Sequence, residues 1–293
     1  MARVERLGDA MALGCALSWA IAVLTFRKAR EVDPVALNLF KCSIAAVALL
    51  ITMLLAGGRF DLARSGFDWA LLAISGVLGL AIADSLFLAG LRRVDGSVAA
   101  LADCAYAPTV LLLSITFLHE PFRVGLLIGA PLVVLGLAIV SWQRRGTDVP
   151  IDRRGLALCV AGVVITAIGV VLAKPALDRS DLLEATTIRL GAGASSLFVF
   201  QALRGRAREA TALFRPQPAW RYALPATFFG TYVAMILWLG GMKYGTASRA
   251  ALLNQTGAVF VLVLSRFGGE VVPMRRWIGA AIAIAGVAVV LLA

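Results

Sequence analysis

The chain has 293 residues, of which 60% are hydrophobic and 15% are charged, and its formal net charge is +11. Soluble domains keep roughly a quarter of their residues charged, so this composition indicates a protein that lies in lipid. The cations are scattered over short polar stretches and form no single basic patch, which argues against nucleic-acid binding.

The apolar residues form a series of runs along the chain, each about 20 residues long. A helix of that length crosses ~30 Å of hydrocarbon, and lipid favours helices because it offers no partner to an unpaired backbone group. We therefore predict ten transmembrane spans, at residues 8–26, 35–56, 69–91, 97–118, 124–142, 155–173, 182–203, 222–242, 246–265 and 276–292. They leave no stretch for a separate soluble domain.

Lysine and arginine are about twice as common in the loops after odd-numbered spans as in the other polar segments. The positive-inside rule then favours a cytoplasmic location for the odd-numbered loops and an external one for both termini. We call the two sides the odd-loop face and the even-loop face. We expect a multi-pass protein of the cell inner membrane that is surrounded by membrane lipids.

The second half of the chain repeats the first. Residues 79–142 align with residues 230–293, and one residue drops out before Glu120, which aligns with Glu270. Further aligned pairs are Gly79 with Gly230, Arg92 with Lys243, Ser97 with Ser248, Asp103 with Asn254, Lys41 with Arg189 and Asp33 with Asp181. Each copy holds five predicted spans, and a unit with an odd number of spans enters the bilayer from the opposite side when it is repeated.

The predicted fold is therefore all-α and integral to the membrane, with ten transmembrane helices arranged as two inverted-topology five-helix repeats. The first repeat covers residues 8–142 and the second covers residues 155–293. A polar linker at residues 143–154 separates them. Inverted repeats of this kind are typical of secondary transporters.

Three ionisable side chains lie inside spans of the first repeat, where a charge costs at least ~2.5–3.5 kcal/mol. At a helical rise of 1.5 Å per residue, Lys41, Asp84 and Asp103 each lie ~10 Å below the odd-loop face. Their common depth on neighbouring spans predicts a Lys41–Asp84–Asp103 cluster. Two acids that share one cation leave one carboxylate free to titrate, so a proton is an expected partner.

In the second repeat, Arg189 and Asn254 take the corresponding places, near the even-loop face. The nearest acid on the same span, Glu184, is five residues away and poorly aligned with Arg189. Arg189 is then free to receive an anionic substrate group such as a carboxylate. The alternative is an arginine that snorkels to the even-loop interface.

Span four contains Pro108, which predicts a helix kink because proline cannot donate to the carbonyl of residue 104. The alternative is a proline that the membrane helix simply tolerates. Tyr106 lies two residues earlier, and in span nine the polar pair Asn254 and Gln255 favours cavity lining.

Trp19 and Trp238 are candidates for stacking on a ligand, with packing as the alternative. The predicted cavity for substrate or ion is lined by Lys41, Asp84, Asp103, Tyr106, Arg189, Asn254, Gln255, Trp19 and Trp238.

Catalytic and cofactor sites are not indicated. The four cysteines all lie in predicted spans, at spacings that suit neither a metal site nor a disulfide framework. The single histidine, His119, lies at the end of a span, so the chain offers no catalytic constellation and we predict neither an enzyme nor a cofactor. There is no GxxxxGK[ST] motif to hold ATP, so a gradient must supply the energy.

Several features in fixed order resemble the paired EamA-type domains of the drug/metabolite transporter superfamily. They are the Gly-rich first span from Gly14 to Trp19, a cation early in span two, the run from residues 89–91 to 97–101, the pair Glu120-Pro121 and an Ile-Gly-Ala…Gly fifth span. Two departures are Lys41, where the family more often has arginine, and Val271 in place of the second proline. The resemblance implies a ten-helix carrier whose central cavity is lined by spans one to four and six to nine.

We therefore expect a secondary transporter that moves a small organic solute by alternating access, with export of an amino acid or related metabolite as the first hypothesis. Asp84 or Asp103 would bind a proton or the substrate amine, and Arg189 with Asn254 would receive the carboxylate. The alternative is proton-coupled efflux of lipophilic cations or drugs. Small-residue faces on spans five and ten permit either a monomer or a homodimer.

Overall fold

The computed structural model describes residues 2–26, 32–94, 96–121, 124–141, 152–269 and 271–292. All regular secondary structure within these ranges is helical. The predicted linker lies outside the described residues except for residues 152–154, and so does Glu270.

The helices of the first half are α1 (Ala2–Phe26), α2 (Pro34–Leu55), α3 (Gly66–Gly76), α4 (Asp84–Leu91), α5 (Gly96–Asp103), α6 (Tyr106–Phe117) and α7 (Val124–Ser141). Those of the second half are α8 (Arg153–Asp178), α9 (Leu182–Leu203), the short α10 (Ala207–Ala210), α11 (Trp220–Thr227), α12 (Ala234–Tyr244), α13 (Ala247–Asn254), α14 (Gly257–Phe267) and α15 (Met274–Leu292). A π-helical segment, Val77–Ala83, joins α3 to α4, and another, Phe228–Val233, joins α11 to α12.

Seven continuous helical runs within the described residues are long and apolar enough to cross a membrane. They are Val4–Phe26, Val35–Leu55, Gly66–Leu91, Arg153–Asp178, Trp220–Tyr244, Ala247–Phe267 and Met274–Leu292. The other three predicted spans coincide with α5 and α6, with α7 and with α9. The fold is thus that of a multi-pass membrane protein, and ten crossings in two inverted sets of five remain a proposal.

Aligned aspartates start corresponding helices in the two halves. Asp33 Oδ1 accepts hydrogen bonds from Val35 N at 2.9 Å and Ala36 N at 3.1 Å, which caps α2. Asp181 caps α9 in the same way. These caps satisfy donors that a helix leaves open at its first turn. Asp152 caps α8, and the hydrogen bond from the backbone N–H of Arg154 lowers the pKa of its exposed carboxyl.

Contacts between helix ends define two opposite faces. At the odd-loop face, exposed ion pairs join Arg92 to Asp33 at 2.9 Å and Arg93 to Asp152 at 3.6 Å. At the even-loop face, Lys243 Nζ donates to three backbone carbonyls at the end of α8, including that of Ser180 at 2.7 Å. The start of α2, the end of α4 and the start of α8 therefore lie together at one face, and the ends of α8 and α12 lie together at the other.

The two halves share irregularities at aligned positions. The π-helical segments contain the aligned glycines Gly79 and Gly230, and π-turns of this kind are frequent at functional sites. The helix is interrupted between α5 and α6 and again, at the aligned place, between α13 and α14. Pro108 follows the first interruption, but Val259 takes its place after the second. Proline is therefore not required for the break.

Helices α7 and α15 pack backbone against backbone through glycines. A Cβ atom on Gly136 would lie 2.4 Å from Ala283 N and 2.5 Å from Gly279 O, and one on Gly129 would lie 2.6 Å from Gly286 O. The small-residue faces of spans five and ten, which would permit either a monomer or a homodimer, are thus in contact with each other within the chain.

Gly136→Ala is expected to lower the melting temperature of the purified protein, because overpacking such a contact costs ~1–3 kcal/mol. The matched control is Gly191→Ala, since nothing lies within 4 Å of a Cβ atom at that helical position. There the change should be neutral or stabilising, because alanine favours helix over glycine. Equal melting temperatures for the two variants would contradict the close α7–α15 contact.

Candidate functional site

A cavity of about 630 Å³ lies among helices of both halves. All nine residues predicted to line a cavity do line this one, namely Lys41, Asp84, Asp103, Tyr106, Arg189, Asn254, Gln255, Trp19 and Trp238. Apolar residues such as Val163 and Met235 supply much of the remaining surface. The structure thus brings the predicted set to one place, and whether these side chains bind a solute remains a prediction.

The cavity extends toward the odd-loop face. Its lining includes Val23 near the end of α1, Ser265 near the end of α14, and Val272 and Arg276 around the start of α15. On α13 the described lining begins only at Asn254, two turns below the even-loop face. A solute could therefore enter from the odd-loop face.

At the even-loop face, Glu120 closes the space between the halves. Its carboxylate accepts hydrogen bonds from Ala247 N at 2.7 Å and from Ser248 at N and Oγ, at 3.2 and 2.5 Å. The acid thus binds the N-terminus of α13, where open N–H groups and the helix dipole favour negative charge. The sequence marked Glu120 only as part of the Glu-Pro pair, and its role as a clamp between halves was missed.

A second contact closes the same face. Asp9 receives hydrogen bonds from Arg249 Nε at 2.7 Å and Nη2 at 2.9 Å, and Nη2 also donates to Leu291 O. The two side chains are only 12% and 14% exposed. A bidentate pair with this little exposure ties α1 to α13.

The predicted acidic cluster forms only in part. Lys41 Nζ lies 3.2 Å from Asp84 Oδ2 in a partly buried ion pair. Asp103 does not join this pair within the described residues, and its helix α5 packs mainly on α8 and α7. Its backbone carbonyl accepts from Gln255 Nε2 at 3.1 Å, while its side chain is exposed in the cavity and forms no ion pair within the described ranges. Equal depth in the membrane therefore did not place all three groups together.

Arg189 is buried in the protein, with 1% of its surface exposed. Its Nε and Nη1 atoms have no hydrogen-bond partner among the described residues, and its Cζ atom lies 5.6 Å from the centre of the Trp238 ring. Glu184 binds Arg64 and the backbone N–H of Asp61 instead. The snorkelling alternative is therefore wrong, since a snorkelling arginine exposes its guanidinium at the interface.

Other polar atoms of the cavity wall are also buried and unpaired in the part of the chain that the structure describes. They are Tyr106 Oη, Trp238 Nε1, Thr231 Oγ1 and Asn254 Oδ1. The hydroxyl of Tyr106 lies near the Trp238 indole but lacks hydrogen-bond geometry to it. Buried polar groups without a partner are rare, so several around one cavity indicate a site for a ligand or water.

Sequence reasoning missed Thr231 and the π-helical segment that carries it. The available signal was the repeat, because Thr231 is a polar residue that aligns with the apolar Leu80. Both π-helical segments accept a hydrogen bond at a backbone carbonyl from a polar side chain of a neighbouring helix. Asn38 Nδ2 donates to Leu80 O at 3.1 Å, and Ser18 Oγ donates to Phe229 O at 2.7 Å.

The described residues contain no group of three or more side chains placed to hold a metal ion. All four cysteines are buried and none forms a disulfide bond within the described residues, and Cys15 lines the cavity. The chemistry that the site offers is therefore hydrogen bonding, charge and apolar contact.

A family model matches the chain twice, over residues 6–142 and 153–292, and describes the EamA-like transporter family. The uncharacterized transporter YvbV of Bacillus subtilis (strain 168) is 29% identical over 152 residues, or 48% of this chain. The match spans 47% of that relative, so about half its length is covered.

A crystal structure of another protein shares the fold with a TM-score of 0.81. The similarity covers 97% of this chain and 96% of that one, at 20% identity. The two family matches together cover nearly all of the sequence. The chain belongs to the EamA-like transporter family, whose members are transporters and not enzymes, and its long apolar helical runs are those of a multi-pass membrane protein.

Proposed function

We propose that the protein is a secondary carrier of the cell inner membrane that moves a small organic solute by alternating access. The observation that carries this proposal is a cavity that extends to the odd-loop face and is closed by polar contacts at the even-loop face. In alternating access, those contacts would separate while the odd-loop side closes.

An amino acid or a related metabolite is the proposed solute. Lys41 and Asp84 neutralise each other, which leaves Arg189 and Asp103 as the uncompensated charges of the described lining apart from Arg276 at its odd-loop end. A zwitterion offers a carboxylate to the first and an ammonium group to the second. The charge bias of the loops favours a cytoplasmic odd-loop face, so this conformation would load solute from the cytoplasm and the proposed direction is export.

Proton-coupled efflux of lipophilic cations is the second candidate. It is favoured by the Asp103 carboxylate, which is exposed in the cavity without an ion pair in the described ranges, and by the exposed Trp19, which lines the same cavity. An aromatic ring and a carboxylate together suit an organic cation. In this scheme, a proton would replace the cation on Asp103.

Uptake into proteoliposomes tests the proposal, with radiolabelled amino acids and lipophilic cations, with and without an imposed pH gradient. We expect zwitterion uptake by the wild-type protein that needs Arg189. Cation uptake that follows the pH gradient and disappears in Asp103→Asn would favour the second candidate. If no compound in either class moves faster than in empty liposomes, the carrier proposal for these solutes is wrong.

A further inference from the structure

The two repeats carry a cation at the same place but surround it differently. Lys41 aligns with Arg189, and the alignment that pairs Gly79 with Gly230 also pairs Asp84 with Met235 and Phe87 with Trp238. Each cation lies on the second long helix of its repeat and approaches the third, past a π-helical segment. The two sites are therefore related by the repeat, and their differences can be compared position by position.

In the first repeat, the cation is neutralised. Lys41 Nζ bonds to Asp84 Oδ2 at 3.2 Å, at the start of α4. In the second repeat, Arg189 approaches the Trp238 ring on α12, one turn beyond Met235. Met235 is apolar, 8% exposed, and lines the cavity at the position where the first repeat has its acid.

We infer that Met235 leaves Arg189 available as a binding site for a single carboxylate group, and that Asp84 switches off the equivalent site at Lys41. This inference rests on the proposed carrier function only in making the carboxylate part of the transported solute. It identifies Met235 and Asp84 as residues that determine specificity, although neither is itself the anion-binding group.

The surroundings of Arg189 suit a planar oxyanion. Its Nε and Nη1 atoms are unpaired donors, and Tyr106 Oη, Trp238 Nε1 and Thr231 Oγ1 are further unpaired donors in the wall of the same cavity. A guanidinium group presents parallel N–H donors that match the two oxygens of a carboxylate.

Gly79 leaves space beside the guanidinium. A Cβ atom at this position would have only Arg189 Nη2 within 4 Å, at 3.8 Å, among the described atoms. The aligned Gly230 differs, since a Cβ atom there would lie 2.6 Å from Ala22 Cβ. Of these two aligned glycines, only Gly79 therefore lies beside a cation, and that cation is Arg189 of the second repeat.

The charge balance favours a monoanion over a dianion. Arg189 offers one positive charge, and Asp103 adds a negative one to the same cavity. A carboxylate satisfies the guanidinium, whereas a second negative charge on phosphate would be left without a partner and repelled by the acid. The site should therefore distinguish carboxylates from inorganic phosphate.

The inference is tested by the binding of benzoate and of inorganic phosphate to the purified full-length protein in detergent, by titration calorimetry. Met235→Asp places an acid at the position that aligns with Asp84, one turn from Trp238, and should weaken benzoate binding at least about tenfold. The neutral control Met235→Asn, whose side chain has the same shape as aspartate, should keep benzoate binding within about twofold of the wild-type value. Phosphate should not compete with benzoate in the wild-type protein.

Asp84→Asn provides a test that does not depend on the folding of Met235→Asp. It frees Lys41, so a second equivalent of benzoate should bind to this variant and not to the wild-type protein. Equal benzoate affinity in Met235→Asp and Met235→Asn, an unchanged stoichiometry in Asp84→Asn, or phosphate binding as tight as that of benzoate would each overturn the inference.

Binding and transport separate this inference from the proposed function. If benzoate binds with the expected variant pattern but no solute is transported, the anion site stands and the carrier proposal falls. If zwitterions are transported equally by the wild-type protein and Met235→Asp, the carrier stands and the role given to Met235 is wrong.

Discussion

Replacement of Arg189 by methionine is expected to abolish transport of a carboxylate-bearing solute while raising the thermal stability of the protein. Loss of one partner from a buried charge pair costs ~2–5 kcal/mol, which corresponds to at least about a 30-fold loss in solute affinity. The empty protein, in contrast, holds a buried guanidinium with two unpaired donor atoms, and an apolar side chain of similar length removes that penalty.

Transport should be lost while the melting temperature rises, and this combination distinguishes a ligand-binding arginine from one that stabilises the fold. Uptake into proteoliposomes and thermal unfolding in detergent are measured for Arg189→Met and for Arg206→Met, which removes an exposed arginine at the odd-loop face. The control should change neither quantity. A lower melting temperature for Arg189→Met would show that the guanidinium stabilises the empty protein. That result would contradict the view that Arg189 is left unpaired until a ligand binds.

The second large effect is expected at the even-loop closure. Arg249→Met leaves the Asp9 carboxylate buried without its partner, and such a loss destabilises a protein by ~3–5 kcal/mol. The double variant Asp9→Leu, Arg249→Met removes both charges and should recover most of the stability. Thermal unfolding of the two single variants and the double variant measures the coupling directly.

The exposed pair at the odd-loop face supplies a matched control. Arg92 and Asp33 are joined at 2.9 Å, but their side chains are 59% and 52% exposed. Exposed pairs contribute ~0–1 kcal/mol, so Arg92→Met should shift the melting temperature little. Similar losses for Arg249→Met and Arg92→Met would contradict the view that the even-loop face is the tightly closed one.

The helical architecture could be predicted because lipid imposes it. The positions of the spans follow from apolar length alone, and each predicted span coincides with a helix or a helical run. Helix starts at Asp33 and Asp181 are also local, since a side-chain oxygen caps the nearest backbone donors. Local features of this kind need no knowledge of the neighbouring helices.

Side-chain partners could not be predicted to the same extent, because depth in the membrane does not give the direction in which a helix faces. Lys41 and Asp84 do meet, but Asp103 at the same depth lies on α5, which packs mainly on α8 and α7. Arg189 was given two alternatives, and only tertiary packing distinguishes a buried guanidinium from a snorkelling one.

The glycines show a further limit of prediction from the sequence, which indicates close helix packing but not which helices meet. Small residues in spans five and ten indicate close packing, but the partner that they contact depends on the whole fold. Likewise, Pro108 predicted a break that α13 and α14 reproduce without proline. Comparison of the aligned halves was the most informative sequence signal, since it also exposes the exchange of Asp84 for Met235.

The central claim, that this cavity carries a solute between the two faces, is tested most directly by countertransport. Proteoliposomes loaded with an unlabelled amino acid that the protein takes up are diluted into the same labelled compound, and its initial entry is compared with that into unloaded vesicles. Alternating access predicts faster entry into the loaded vesicles, and loss of that acceleration in Arg189→Met. Equal entry into loaded and unloaded vesicles would contradict the account.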